Sequence, residues 1–193
     1  MWLGQTYNLE SAREDISRAL GGLNPSQVVV PVGGGFACGV GQLAKLIYPG
    51  VRITGIEPGS HAKFSSLEPP RSHSELLQSP GGTIADGTAT KAYGDKTFAE
   101  LSRTVDWFES VSEDAIRDSI AFMYAAKGIV AEGAGALGIA MIMQVASRSK
   151  PRLFDPQSSP SLESVLTFVS GKNINPDVLD GILRERGIVA SGA

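Results

Sequence analysis

Residues 27–57 read QVVVPVGGGFACGVGQLAKLIYPGVRITGIE. Gln27–Val32 is a short β-branched run, the composition of a strand buried on both faces. Three consecutive glycines, Gly33, Gly34 and Gly35, break it. Phe36 to Tyr48 carries apolar residues at helical spacing and stops at Pro49-Gly50. Val51 to Glu57 is a second β-branched run. Strand, glycine loop, helix and strand make a βαβ unit, which calls for a parallel sheet with a right-handed crossover. The expected fold class is therefore α/β, a three-layer open and mainly parallel sheet with helices on both faces.

Working outward, Leu9, Ala12, Ile16, Ala19 and Leu20 recur at helical spacing ahead of Gly21-Gly22. Residues 58–96 are rich in Pro, Gly and Ser, and the pattern predicts one short helix near His61–Leu67. A loop of that length in a compact domain is often functional. Val105 to Val111 reads as a third strand, and Ser112 as the cap of a helix with Glu113 and Asp114 in its first turn. That helix ends at Lys127-Gly128. A Gly/Ala-rich helix is expected from Ala134 to about Ser147, an exposed linker-like connection over 149–163, and a last strand over Ser164–Val169. Asn175 then caps a final helix with Pro176 at its first position and Gly187 past its end. The whole of 1–193 reads as a single α/β domain.

Composition narrows the function. The 193 residues are 42% hydrophobic and 19% charged, with a formal charge of −3. That balance gives no basic footprint for a nucleic-acid backbone or an anionic membrane surface. The single cysteine, Cys38, excludes an internal disulfide and a Cys-based zinc site, and His61 and His73 are too few for a histidine metal cluster. No apolar stretch approaches the ~18 residues that span a bilayer. These features lead to the expectation of a cytoplasmic protein, or one of an organelle lumen. Glycine is the outlier, 23 residues or about 12% against an ordinary ~7%.

The glycine loop carries the strongest chemical signal. The start of a helix presents unpaired N–H groups and a positive dipole end, and glycines let an anion approach the backbone. The pattern fits a phosphate. Which phosphate is open at this level. Glu57, at the end of the next strand, imitates the ribose-binding acid of a dinucleotide fold, but Cys38 occupies the place of the third fingerprint glycine. A dinucleotide-binding oxidoreductase domain therefore stays as an alternative.

Six strings in one order add a resemblance: VVVPVGGG, TGIEP at 54–58, TIADGTA at 83–89, VSEDAI at 111–116, VAEGAGALG at 130–138 and SGKN at 170–173. Together they resemble the second half of a threonine/serine dehydratase, in the tryptophan-synthase-β-like family of pyridoxal-phosphate enzymes that also holds serine racemases. The resemblance runs from about Gly4 to Asn175. It implies pyridoxal 5′-phosphate as cofactor, with Gly33, Gly34 and Gly35 on its phosphate and Phe36 where the family usually has a fourth glycine. It implies Ser170 at the pyridine nitrogen, Asn173 closing the same turn, and Lys172 where a glycine is usual. Glu132 matches an acid close to the cofactor, and a helix-capping role competes with a catalytic one. Glu57 is similar to an acid that helps hold a structural cation in some members. Lys63 stands where the second acid of that site belongs, so Glu57 is a weak metal candidate and a lysine could take the cation's place. Asp86 reads as a loop-shaping residue, and Cys38 as a small buried one.

The same resemblance marks what is missing. The family's Schiff-base lysine precedes the glycine loop, and none of the 32 residues before Gly33 is a lysine. None of the seven lysines present matches that position. No catalytic residue is therefore assigned apart from the candidate Glu132. The expected function is the pyridoxal-phosphate-binding portion of an amino-acid ammonia-lyase, inactive alone. It would be part of a longer enzyme, a subunit completed by a lysine-domain partner chain, or a non-catalytic binding module. A small amino acid is the expected substrate once completed, a homodimer is compatible, and no C-terminal regulatory extension is expected.

Overall fold

The computed structural model describes residues 14, 18, 21–65, 82–90, 93–147 and 164–188. The expected first helix, apart from two of its residues, and the 149–163 connection lie outside these.

Among the described residues, four strands form one sheet in the order β3-β2-β1-β4. They are β1 (Gln27–Pro31), β2 (Arg52–Pro58), β3 (Trp107–Val111) and β4 (Val165–Thr167). Every pairing is parallel, with Val29 opposite Thr54 on one side and Thr167 on the other. All five residues of β1 are buried, as a central strand covered on both faces requires. Its valines split by the period-two rule. Val28, Val30 and Val32 pack on one face with Ile53, Phe64, Tyr93 and Leu101, whereas Val29 faces Ile56, Ile116, Leu137 and Ile182 on the other.

Among the described residues, five helices make the outer layers. On the first face lie α1 (Gly35–Ile47) and α2 (Asp95–Thr104); on the second lie α3 (Glu113–Lys127), α4 (Gly133–Ala146) and α5 (Pro176–Glu185). The three-layer parallel architecture is the one expected. Its caps also follow the sequence. The Ser112 side chain accepts the Ala115 N–H, Gly128 closes α3 at φ 63°, and Asn175 accepts the Asp177 N–H ahead of Pro176.

Three local expectations need correction. The third strand begins at Trp107, because Val105 terminates α2, a helix the Pro/Gly/Ser-rich reading of 58–96 stopped short of. The residues near His61 form a three-residue turn of 3₁₀ helix, Gly59–His61, in place of an α-helix over the described part. Cys38 is half-buried, its Sγ 3.8 Å from the Thr97 carbonyl.

Candidate functional site

The carboxyl ends of parallel strands are where open α/β sheets bind ligands, and the sequence-selected residues gather there. Gly33, Gly34 and Gly35 lead from β1 into α1. Gly34 is the N-cap at φ 132°, a backbone setting that L side chains avoid. It offers no side-chain cap, and the first turn of α1 holds no acid. The other described helices differ. α2, α3 and α5 carry an acid in the first turn, and α4 has Glu132 at its N-cap. The first N–H groups of α1 thus keep their positive end without an internal counter-charge. A Cβ on Gly35 would meet nothing within 4 Å, so space lies in front of that backbone. These features fit a phosphate.

Gly33 has a packing reason as well. A Cβ there would lie 2.8 Å from the Gly87 carbonyl oxygen, so the loop closes directly on the 3₁₀ turn Asp86–Thr88. That turn in its place meets α4, where a Cβ on Gly133 would come within 2.2 Å of the Ile84 oxygen. The strings TIADGTA and VAEGAGALG are therefore successive walls of one rim. Asp86 accepts the Gly87 N–H at 2.7 Å, a loop-shaping contact. Its neighbour Glu113 ties the same loop down, accepting the Ile84 N–H and the Ser60 hydroxyl.

The fourth wall is the Ser170–Asn173 turn. The β1–β4 register pairs Val29 with Thr167, so the chain leaves β4 toward Ser170 at the carboxyl end of the sheet, and Phe168 meets Phe36 of α1 edge to face at 5.5 Å. The turn is held from behind by α4. Gly135 lies so close that a Cβ would fall 1.8 Å from the Ser170 oxygen, and Gly138 does the same against Thr167. Glu132 is the N-cap residue of α4 but makes no side-chain cap bond. Its carboxylate reaches across instead: Oε1 accepts the Asn173 N–H at 2.8 Å, and the Glu132 N–H donates to the Gly171 oxygen at 3.1 Å. Gly171, at φ 74°, leaves that carboxylate room, since a Cβ would lie 2.6 Å from its Cδ. A cleft of about 370 Å³ opens here, lined by Ile84, Asp86, Glu132, Asn173 and Asn175 among others. Lys172 is exposed.

Glu57 has different surroundings. It is 1% exposed, and four donors converge on Oε2: the N–H groups of Lys63, Phe64 and Ser65 and the Ser65 hydroxyl, at 2.9–3.0 Å. Its carboxylate thus shapes the chain that follows β2, and among the described residues no group of three His, Cys, Asp or Glu could hold a metal ion. Lys63 is itself fully buried, its Nζ donating to the His61 carbonyl at 3.2 Å and lying 5.1 Å over the Tyr93 ring. Burial lowers the Lys63 ammonium below its ordinary pKa, with Glu57 opposing. Tyr93, which the sequence reading passed over, is 3% exposed and bonds the Val32 carbonyl. Its signal was an aromatic residue inside a polar, glycine-flanked stretch. No helix among the described residues is long and apolar enough to cross a membrane.

Residues 7–169 match the family model described as "Pyridoxal-phosphate dependent enzyme". The chain is 34% identical over 167 residues to L-threonine ammonia-lyase of Thermotoga maritima, covering 86% of itself and 38% of that relative. Among solved structures, maize serine racemase matches with a TM-score of 0.66 at 26% identity, over 92% of this chain and 51% of that one. The processed form of threonine deaminase isoform 2 from Solanum lycopersicum shares the fold, with a TM-score of 0.70 at 24% identity over 93% and 49%. The chain spans 38% of the length of the first and about half of the length of each of the two solved structures. With the match covering the whole described sheet and three of the four walls of the rim, the chain belongs to the family of pyridoxal-phosphate-dependent enzymes.

Proposed function

We propose that this chain is the phosphate-holding portion of a pyridoxal-phosphate-dependent ammonia-lyase for a small hydroxy-amino acid of the threonine or serine type. The observation that carries the reading is the amino end of α1, with a glycine N-cap, no acid in its first turn and open space before Gly35. The N–H groups of Gly33, Gly34 and Gly35 would hold the phosphate. Ser170, just past the carboxyl end of β4, would meet the ring nitrogen with a neutral hydroxyl, and Asn173 would close that turn. When bound, the cofactor supplies the electron sink that labilises the substrate α-proton. A hydroxyl partner leaves the ring nitrogen largely unprotonated, a setting suited to loss of a β-hydroxyl. Glu132 fixes the turn through the Asn173 N–H and is a positioning residue in this reading.

The α-proton needs a base within hydrogen-bond reach, and none of the seven lysines precedes the glycine loop in the sequence, where the resemblance puts the Schiff-base lysine. The reading therefore requires a lysine-bearing segment, in the same polypeptide or a partner chain. The test follows 2-oxo-acid formation from threonine and serine with pyridoxal phosphate supplied. The 193-residue chain alone is expected to stay at the background of free cofactor, with turnover on adding a polypeptide that carries the lysine segment. Robust turnover by the chain alone would show that its base has been misassigned, and tight binding of a nicotinamide dinucleotide would favour the oxidoreductase alternative.

A further inference from the structure

Beneath the glycine loop lies a buried polar group that the proposed chemistry does not use. Tyr93 places its hydroxyl 3.2 Å from the Val32 carbonyl and 3.4 Å from Glu57 Oε1. A phenol has one proton, and Tyr93 shares it between the two acceptors, with the Val32 carbonyl at the shorter distance. The acceptor is significant because the Val32 carbonyl and the Gly33 N–H belong to one peptide unit. In a planar trans peptide the two point in opposite directions. A bond that fixes the carbonyl toward Tyr93 therefore fixes the Gly33 N–H away from the core, on the side of the loop.

Tyr93 is fixed in turn. The Lys63 ammonium lies 5.1 Å over its ring while donating to the His61 carbonyl. A cation over a desolvated ring is attracted by the ring quadrupole. Phe64 packs beside it, its ring centroid 5.5 Å from that of Tyr93 and 4.1 Å from that of Phe108. Glu57, held by three backbone N–H groups, closes the set with an opposite charge. Lys63, Tyr93 and Glu57 are all at least 97% buried, so the two contacts of the Tyr93 hydroxyl do not compete with bulk water.

We propose that Tyr93, clamped between Lys63 and Glu57, is a positioning residue that orients the Val32–Gly33 peptide and so presets the first N–H of the phosphate-binding loop. The proposal rests on the reading of Gly33–Gly35 as an anion site. The geometric part, the aim of the Gly33 N–H, stands apart from it.

The experiment uses the ¹⁵N-labelled 193-residue chain, inorganic phosphate as probe, and the variants Tyr93→Phe and Lys63→Met. Phosphate is expected to shift the Gly33, Gly34 and Gly35 amides of the parent chain. Tyr93→Phe removes one oxygen and keeps the ring, and is expected to weaken phosphate binding about tenfold, the scale of one oriented hydrogen bond. Without phosphate, the same variant is expected to move the Gly33 amide resonance and leave that of Gly128, at the far end of α3, unchanged. Lys63→Met is expected to act in the same direction by a smaller factor, and gives the same two readouts if Tyr93→Phe does not fold. An unmoved Gly33 amide with unchanged affinity in the folded variants overturns the positioning role. A Gly33 amide that moves in the variant while phosphate perturbs nothing in the parent upholds the peptide orientation and overturns the anion reading alone.

Discussion

Gly135→Ala is the sharpest perturbation of the site that leaves every polar group in place. An ideal Cβ on Gly135 falls 1.8 Å from the Ser170 oxygen, 2.7 Å from its nitrogen and 2.8 Å from its carbonyl carbon. Since non-bonded heavy atoms settle at about 3.5 Å, the turn or the helix must retreat by roughly 1.5 Å. All three obstacles are backbone, so no rotamer change relieves them. Overpacking of this kind costs about 1–3 kcal/mol. The retreat also pulls the Asn173 N–H from Glu132 Oε1, a partly exposed bond worth about 1 kcal/mol. A total near 3 kcal/mol corresponds to a fall in Tm of about 9 °C for a chain of this size. Gly181→Ala is the paired control. Gly181 lies inside α5 with nothing within 4 Å of its Cβ position, so alanine there is expected to stabilise by about 0.5–1 kcal/mol through helix propensity. Urea unfolding of the two variants measures both. A Gly135→Ala cost below about 0.5 kcal/mol, under the overpacking range, would refute the packing argument.

Glu132→Ala should cost about 1 kcal/mol in unfolding free energy, whereas Glu132→Gln, which keeps an acceptor for the Asn173 N–H, should cost less than half of that; equal losses would show that the bond to Asn173 is unimportant. Lys63 has a folded pKa below 10.5 because burial disfavours its charged form. Between that lowered value and 10.5 the unfolded chain binds more protons than the folded one, so stability gained relative to Lys63→Met rises with pH across that window and is flat above it. Paired denaturation curves from neutral pH upward check this, and a difference that is constant or falls with pH would contradict it.

The fold was legible where local and global signals agree. Gln27–Val32 is β-branched, glycine-terminated and followed by a helix and a second such run, and no arrangement other than a parallel pair suits it. Ser112 and Asn175 were readable as caps because a side chain that bonds its own backbone needs only local sequence. Helix α2 was not, since its composition is polar and it buries Leu101 and Thr104, with Phe98 packed partly against the core. The purpose of Glu132 also escaped a local reading. It occupies a capping position, yet its partner is Asn173, 41 residues away. Tyr93 and Lys63 carry the same lesson. Their relation to Val32 spans 61 residues in one case and depends on aromatic packing around Phe64 in both, which no spacing rule encodes.

The central claim is that the amino end of α1 holds the cofactor phosphate, and Gly35→Asp tests it most directly. A Cβ at Gly35 meets nothing within 4 Å, and its φ lies outside the left-handed region, so the side chain fits. An acid in the first helical turn adds about 0.3–1 kcal/mol of stability against the dipole. The same carboxylate places a negative charge in front of the N–H groups that would receive a phosphate. The measurement is a pyridoxal-phosphate titration of the parent chain and of Gly35→Asp, each repeated with inorganic phosphate as competitor. The account predicts saturable, phosphate-competed binding to the parent chain, lost in a variant that is as stable or more so. Equal binding by both proteins, or binding that inorganic phosphate does not displace, would contradict it.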